Sequence, residues 1–311
     1  MTRFVSSART AFVCGSLAAA VVAGLACGLC GCGKSSSPAG TGGKTTLQNK
    51  GSDTMVNLAQ AWAEAYQTVA PDTEVEVSGG GSGPGLAALS KGMIDIANAS
   101  RNIKPEETEQ AKQNTGKAPK EFTVAHDALA VYVHKDNPMT EVTLDQLAQI
   151  FAEDGTVTKW SQLGVTLPGG GDDTIVRVSR QSSSGTYEFF REHVLKKKDF
   201  KLGSRDMNGS KEVVELVGNT RTAIGYSGMG YAMPTVKMLK VAAAAGEPSY
   251  APTVANTLNK TYPLARSLHL YTLGEPGGAA KRYIDWILSD AGQRIVQECG
   301  YVPEQARTPA P

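Results

Sequence analysis

The sequence predicts an α/β protein in which strands and helices alternate along the chain. Two observations carry that prediction. From Thr45 onward, short apolar or period-two runs are separated by segments with apolar residues every three to four positions. The composition agrees. Of 311 residues, 41% are hydrophobic, 20% charged and only 6% aromatic, with 34 glycines, the profile of an ordinary globular chain long enough for one large or two medium domains. Lys and Arg number 31 against 30 Asp and Glu, so the basic excess of a general nucleic-acid binder is missing.

The elements follow in order. Residues 73–78 (Thr-Glu-Val-Glu-Val-Ser) alternate with period two and read as a half-buried strand. The stretches 123–125, 129–133 and 174–179 are further strands, rich in β-branched and small apolar residues. Residues 55–69 place Leu58, Ala59, Trp62 and Tyr66 on one helical face. Residues 144–151 and 211–217 repeat that period, and 279–299 reads as one long helix carrying Tyr283, Ile284, Ile287, Ile295 and Val296. Residues 168–173 (Pro-Gly-Gly-Gly-Asp-Asp) form a surface turn.

The N-terminus reads as an address. Residues 1–32 contain Arg3, Arg9 and no acid, and an apolar stretch runs from Ala11 to Leu29, the layout of an export signal. Length alone also permits a membrane anchor. Leu29-Cys30-Gly31-Cys32 resembles the lipobox of bacterial lipoproteins, which implies cleavage before Cys32 and its lipidation, with Cys27 as the competing site. Residues 33–44 then form a flexible tether. Four of the five cysteines lie in this leader and only Cys299 lies in the body, so neither an internal disulfide nor a zinc site is expected there.

Three junctions share one chemistry. Gly51-Ser52-Asp53-Thr54 ends a strand and opens a helix. Residues 79–85 (Gly-Gly-Gly-Ser-Gly-Pro-Gly) do the same, with Ser82 at the turn. Arg180-Gln181-Ser182-Ser183-Ser184-Gly185-Thr186 is the third. Each puts hydroxyls and free backbone N–H groups at a helix N-terminus, where a small oxyanion is favoured. Ser, Thr and Asp are also ordinary helix caps, so one junction alone says little. Three of them, with Arg180 heading the last, point to an anion.

Catalytic signatures fail on inspection. There is no phosphate-binding Gly-x-x-x-x-Gly-Lys-Ser/Thr loop, and residues 79–85 miss the dinucleotide pattern. Gly225-Tyr226-Ser227-Gly228-Met229 ends in Met where a nucleophile elbow needs Gly. The histidines His126, His134, His193 and His269 lack metal-ligand spacing.

From about Gly51 to Pro303 the chain resembles the substrate-binding component of bacterial ABC phosphate transporters, the PstS-like family. The three junctions carry the resemblance, together with Gly92-Met93-Ile94-Asp95-Ile96-Ala97-Asn98-Ala99-Ser100-Arg101, residues 144–151 followed by Trp160, residues 223–226, residues 289–293 and Gly300-Tyr301-Val302-Pro303. The resemblance implies a two-lobed, type II Venus-flytrap fold with two crossing strands, expected near 123–133 and 223–231. Lobe one would comprise 45–125 and 230–311, and lobe two 126–229. Inorganic phosphate would bind between the lobes to Ser52, Asp53, Thr54, Ser82, Arg101, Arg180, Ser184, Gly185 and Thr186. The protein would be exported and lipid-anchored on the extracytoplasmic face. It would act as a monomer without cofactor or catalysis and would serve an ABC permease and its ATPase.

One departure bears on selectivity. Some family members carry an acid at the position of Arg101, where it accepts the proton of hydrogen phosphate, and others carry arginine as here. An arginine cannot accept that hydrogen bond. Asp53 is the first candidate acceptor and Asp127 the second, the alternative for Asp127 being a structural salt bridge to an arginine. Sulfate, arsenate or molybdate is the rival ligand, and a phosphohydrolase the rival class, for which no metal cluster or positioned base is visible.

Overall fold

The computed structural model describes residues 44–304. The leader 1–32 with Cys32 and Cys27, and the tether up to residue 43, lie outside the described residues.

The first half begins with three parallel strands wound with helices. β1 (Thr45–Gly51) leads to α1 (Val56–Val69), β2 (Thr73–Ser78), α2 (Ser82–Ser90) and β3 (Ile96–Ala99). β1 lies between β2 and β3, so all three strands end at one edge and the loops that follow them share it. α1 forms as expected because Leu58, Ala59, Trp62 and Tyr66 recur at helical spacing and are all buried. α3 (Pro105–Thr115) starts with Pro at its first position and Glu106 and Glu107 in its first turn, a good match to the helix dipole.

β4 (Pro119–His134) is the hinge of the architecture. The stretches 123–125 and 129–133 are parts of this one strand of 16 residues. Residues 119–128 pair antiparallel with a late strand of the first half, whereas 129–133 pair with strands of the second half.

The second half continues through β5 (Glu141–Thr143), α4 (Leu144–Phe151), β6 (Val176–Arg180), α5 (Gly185–His193), β7 (Arg205–Met207), α6 (Ser210–Gly218) and β8 (Ala223–Gly228). Thr143 caps α4 reciprocally with Gln146, a box that contributes about 1 kcal/mol. The core here stacks Phe190 on Tyr226 at 3.9 Å, with Phe151 edge-on to both. Trp160 is buried, and its indole N–H donates to the Thr222 carbonyl at 2.9 Å.

The return crossing is not at 223–231. β8 pairs with residues 129–133 of β4 and with β6, wholly inside the second half. At a 3-10 turn, Met229–Tyr231, the chain touches the first half, the Tyr231 hydroxyl donating to the Asp53 and Thr54 carbonyls at 2.9 and 3.2 Å, but it then turns back. β9 (Val236–Met238) pairs with residues 132–134 of β4, and β10 (Lys240–Ala242) pairs with β5 and with β11 (Ser249–Tyr250). α7 (Val254–Leu258) follows, and the Tyr262 hydroxyl donates to the Leu129 carbonyl at 2.8 Å. The chain returns to the first half at residues 263–265, entering β12 (Ala265–Leu273), which lies between β3 and β4. Residues 232–262, expected in lobe one, therefore pack with the second half. Strand pairing decides this: β9 and β10 complete sheet edges that only the second half offers.

The expected helix 279–299 is two helices, α8 (Gly278–Ile287) and α9 (Asp290–Glu298). At the break, Gln293 Nε2 donates to the Ile287 carbonyl at 2.9 Å, so a side chain satisfies a carbonyl the helix would otherwise have used. The break lets both helices pack on α1. Tyr66 meets Tyr283 at 4.9 Å, and Trp62 donates to the Gly292 carbonyl at 2.9 Å. β13 (Val302–Pro303) closes the sheet against β4.

Candidate functional site

All three predicted junctions arrive at one place between the halves. Ser52, Thr54 and Ser82 come from strand ends in the first half, and Arg180, Ser184 and Thr186 from the end of β6 and the start of α5. All six are buried, each less than 4% exposed, a rare concentration of polar groups in a protein interior.

The halves touch through these groups. The Thr54 and Thr186 hydroxyls are 2.7 Å apart. Arg180 Nη2 donates to Asp53 Oδ2 at 3.1 Å, and the Gly83 N–H donates to the Ser183 carbonyl at 3.2 Å. Within the first half, Ser52 Oγ donates to Ser100 Oγ at 2.9 Å, and the Ser100 N–H donates to Ser82 Oγ at 3.1 Å. Ser184 caps α5 by accepting from the Thr186 N–H at 3.1 Å. Gly185 is packed so closely that a Cβ there would lie 2.4 Å from Ser82 Oγ and 2.7 Å from Ser100 Oγ.

Arg180 is the charged centre. Its Nη1 donates to Ser210 Oγ and its Nη2 to the Asn208 carbonyl, each at 2.9 Å, which pins the guanidinium. Its Nε is buried and has no partner among the described residues, a donor held in reserve. Burial pulls the guanidinium below the ordinary arginine value, and the Asp53 charge opposes that. Asp53 is fixed from the other side by the Gly80 N–H at 2.8 Å.

Arg101 does not join them. Both its Nη atoms grip Glu107, at 2.8 and 2.7 Å, and it lines a neighbouring cavity of ≈ 720 Å³ that also touches Lys104, His126, Phe189 and Arg266. Asp127 is also committed. Arg266 Nε and Nη2 bind its Oδ2 at 3.0 and 2.7 Å, and the Met229 N–H binds its Oδ1 at 3.0 Å. The structural salt bridge is thus the reading that applies to Asp127.

Two site residues had no sequence signal strong enough to single them out. Ser100 sits among the hydroxyls because it follows β3 at the shared strand edge. Arg266 reaches Thr54 Oγ1 at 3.3 Å and the Ser100 carbonyl at 3.2 Å from the return strand. Chemically the assembly is a cluster of hydroxyls, which both donate and accept, around one guanidinium with a spare N–H. It suits a small tetrahedral oxyanion. Among the described residues no group of three or more His, Cys, Asp or Glu is arranged to hold a metal ion.

Comparison with known proteins gives the family. The profile of the PBP superfamily domain matches residues 36–291. The phosphate-binding protein PstS of Pseudomonas aeruginosa is 35% identical over 274 residues, 84% of each chain. The chain belongs to the PstS-like family. PstS of Bacillus subtilis is 31% identical over 292 residues, covering 92% of this PstS-like chain and 91% of the relative. Among solved structures, a phosphate ABC-type transport receptor from Vibrio cholerae superposes with a TM-score of 0.66 at 28% identity, over 83% of this chain and 100% of that one. A Clostridium perfringens chain, described as a phosphate ABC transporter substrate-binding protein and crystallised with bound phosphate, superposes with a TM-score of 0.73 at 33% identity, over 84% and 100%. The two-lobed fold of these binding proteins is the fold described above.

Proposed function

We propose that this protein binds inorganic phosphate between its two lobes and delivers it to an ABC permease with its ATPase. The observation that carries the reading is Arg180, wholly buried, with an unpartnered Nε among six hydroxyl side chains. Relatives named for phosphate binding, one of them crystallised with phosphate, favour phosphate over other tetrahedral oxyanions. Ser52, Thr54, Ser82, Ser184 and Thr186 donate to the anion, and Ser100 joins them. Arg180 supplies the charge. Export, with lipidation at Cys32 and a tether of residues 33–44, holds the monomeric receptor near the permease.

Asp53 is the acceptor for the phosphate proton: each of its oxygens carries one hydrogen bond, from Arg180 and from Gly80, whereas Asp127 holds Arg266 through two bonds and Met229 through a third. Calorimetric titration with phosphate, then with sulfate in competition at two pH values, tests both statements. Tight phosphate binding with sulfate ignored is expected, because an unpaired buried acceptor can exclude a ligand lacking its donor by about 10⁴-fold. Asp53→Asn then admits sulfate. Equal binding of both anions by the unaltered protein makes the site a general oxyanion receptor, and binding of neither by folded, ligand-stripped protein removes the function.

Gly185 offers an independent check. Gly185→Ala drives a methyl into Ser82 and Ser100. Overpacking of this kind costs about 1–3 kcal/mol, here charged to closure, so phosphate affinity is expected to drop by about tenfold or more. The melting temperature without phosphate should stay near that of the unaltered protein. Unchanged affinity shows that the halves do not close on the ligand through this contact.

A further inference from the structure

The ion pairs between the start of α3 and α5 form one connected chain. Arg101 grips both carboxylate oxygens of Glu107. Glu107 Oε2 also accepts from the Lys104 N–H at 2.9 Å, which fixes the residue that opens α3. Lys104 Nζ then reaches across the halves to Glu188 Oε1 on α5 at 2.8 Å. The side chains of Arg101, Glu107, Lys104 and Glu188 are 10%, 19%, 36% and 18% exposed, so the chain is partly shielded from solvent. Burial pulls Arg101 down, but its hydrogen bond to Glu107 and the charges of Glu107, Glu188 and then Tyr271 leave it above the ordinary arginine value. Glu188 lies two residues beyond Thr186, whose hydroxyl meets that of Thr54.

We propose that the Lys104–Glu188 pair is the latch that sets how long the closed cleft retains its anion, and that Arg101 and Glu107 are positioning residues that aim Lys104. The inference rests on the phosphate reading above and gives Arg101 a place one step removed from the anion. A contact that joins the two halves exists only when they meet. Its loss destabilises the closed state without altering the open one that phosphate encounters, so the effect falls on dissociation.

Rapid mixing of the whole protein with inorganic phosphate tests this. Lys104→Gln and Glu188→Gln are each expected to raise the dissociation rate about fivefold, with the association rate unchanged within about twofold. The double variant releases phosphate no faster than the faster single one, because both remove the same contact. Arg101→Gln raises the rate in the native background and has no effect when combined with Glu188→Gln, and Lys104→Arg restores slow release. Unchanged dissociation in the single variants, or single effects that multiply in the double variant, overturns the latch. Should the unaltered protein bind no phosphate, the ligand reading fails separately. The latch is then judged by energy transfer between dyes on Gln113→Cys and Lys197→Cys, two exposed positions in opposite halves. Lys104→Gln should lengthen the mean distance by lowering the closed population that the free protein samples, and an unchanged mean distance overturns the proposal.

Discussion

Arg180→Ala is expected to weaken phosphate binding by well over tenfold. The guanidinium is fully buried and held within its own half by Ser210 and Asn208, so it is in place before the anion arrives and little ordering is left to be done. Its spare Nε and remaining Nη1 hydrogen offer charge-assisted donors, which are stronger than neutral ones. Removing one partner of a buried charge pair costs about 2–5 kcal/mol, and each 1.4 kcal/mol is a factor of ten. Two effects add in the same direction here. The anion loses its cation, and Asp53 is left as an uncompensated carboxylate beside it. Arg180→Lys separates charge from geometry. It keeps the charge and loses the planar fork, so its affinity should fall between the two. Arg180→Ala combined with Asp53→Asn should bind no worse than Arg180→Ala alone, because losing the carboxylate's uncompensated charge offsets losing its hydrogen bond to the phosphate proton. Calorimetry on the three variants reads all of this, and an unchanged titration curve for Arg180→Ala would falsify the site assignment.

The parts of this site that are legible in the sequence are those whose meaning is local. Ser52, Thr54, Ser82, Ser184 and Thr186 each sit where a strand gives way to a helix, and a helix start is written in a handful of consecutive residues. Their convergence follows from parallel strands, which send every following loop to the same edge. What is not local is not legible. The partner of Asp127 depends on the β4–β12 register, which places Arg266 directly opposite and shifts at the irregularity between Leu268 and His269. Arg101 stands at a motif position, yet its side chain follows the nearest acid, and Glu107 becomes near only once α3 forms. The Lys104-Pro105-Glu106-Glu107 helix start was the available signal. The return crossing is displaced for a similar reason. Residues 223–228 are a strand of suitable length and apolarity, whereas the true passage contains Pro263, cannot donate there, and is marked by no period.

The buried pair Asp127–Arg266 is where the largest loss of stability is expected. Asp127 faces Arg266 at the last rungs before β4 passes from one half to the other. Their side chains are 0% and 2% exposed. The guanidinium also binds the Ser100 carbonyl and Thr54 Oγ1, so one ion pair ties both crossing segments to the hydroxyl cluster. Asp127→Ala leaves an arginine buried without a counter-charge, which costs about 3–5 kcal/mol. For a domain of this size the melting temperature should drop by about 10 °C. Asp127→Leu with Arg266→Leu removes both charges, and much of the stability should return, since a hydrophobic pair can replace a buried ion pair at little cost. Phosphate affinity should not return with it, because Thr54 has lost the donor that orients its hydroxyl. Thermal unfolding and calorimetry on the single and double variants separate the two roles. Recovery of affinity along with stability would reduce the pair to a packing element of the hinge. Failure of both leaves the hinge and the site as a single unit, in which the strands that let the lobes move also hold the groups that grip the anion.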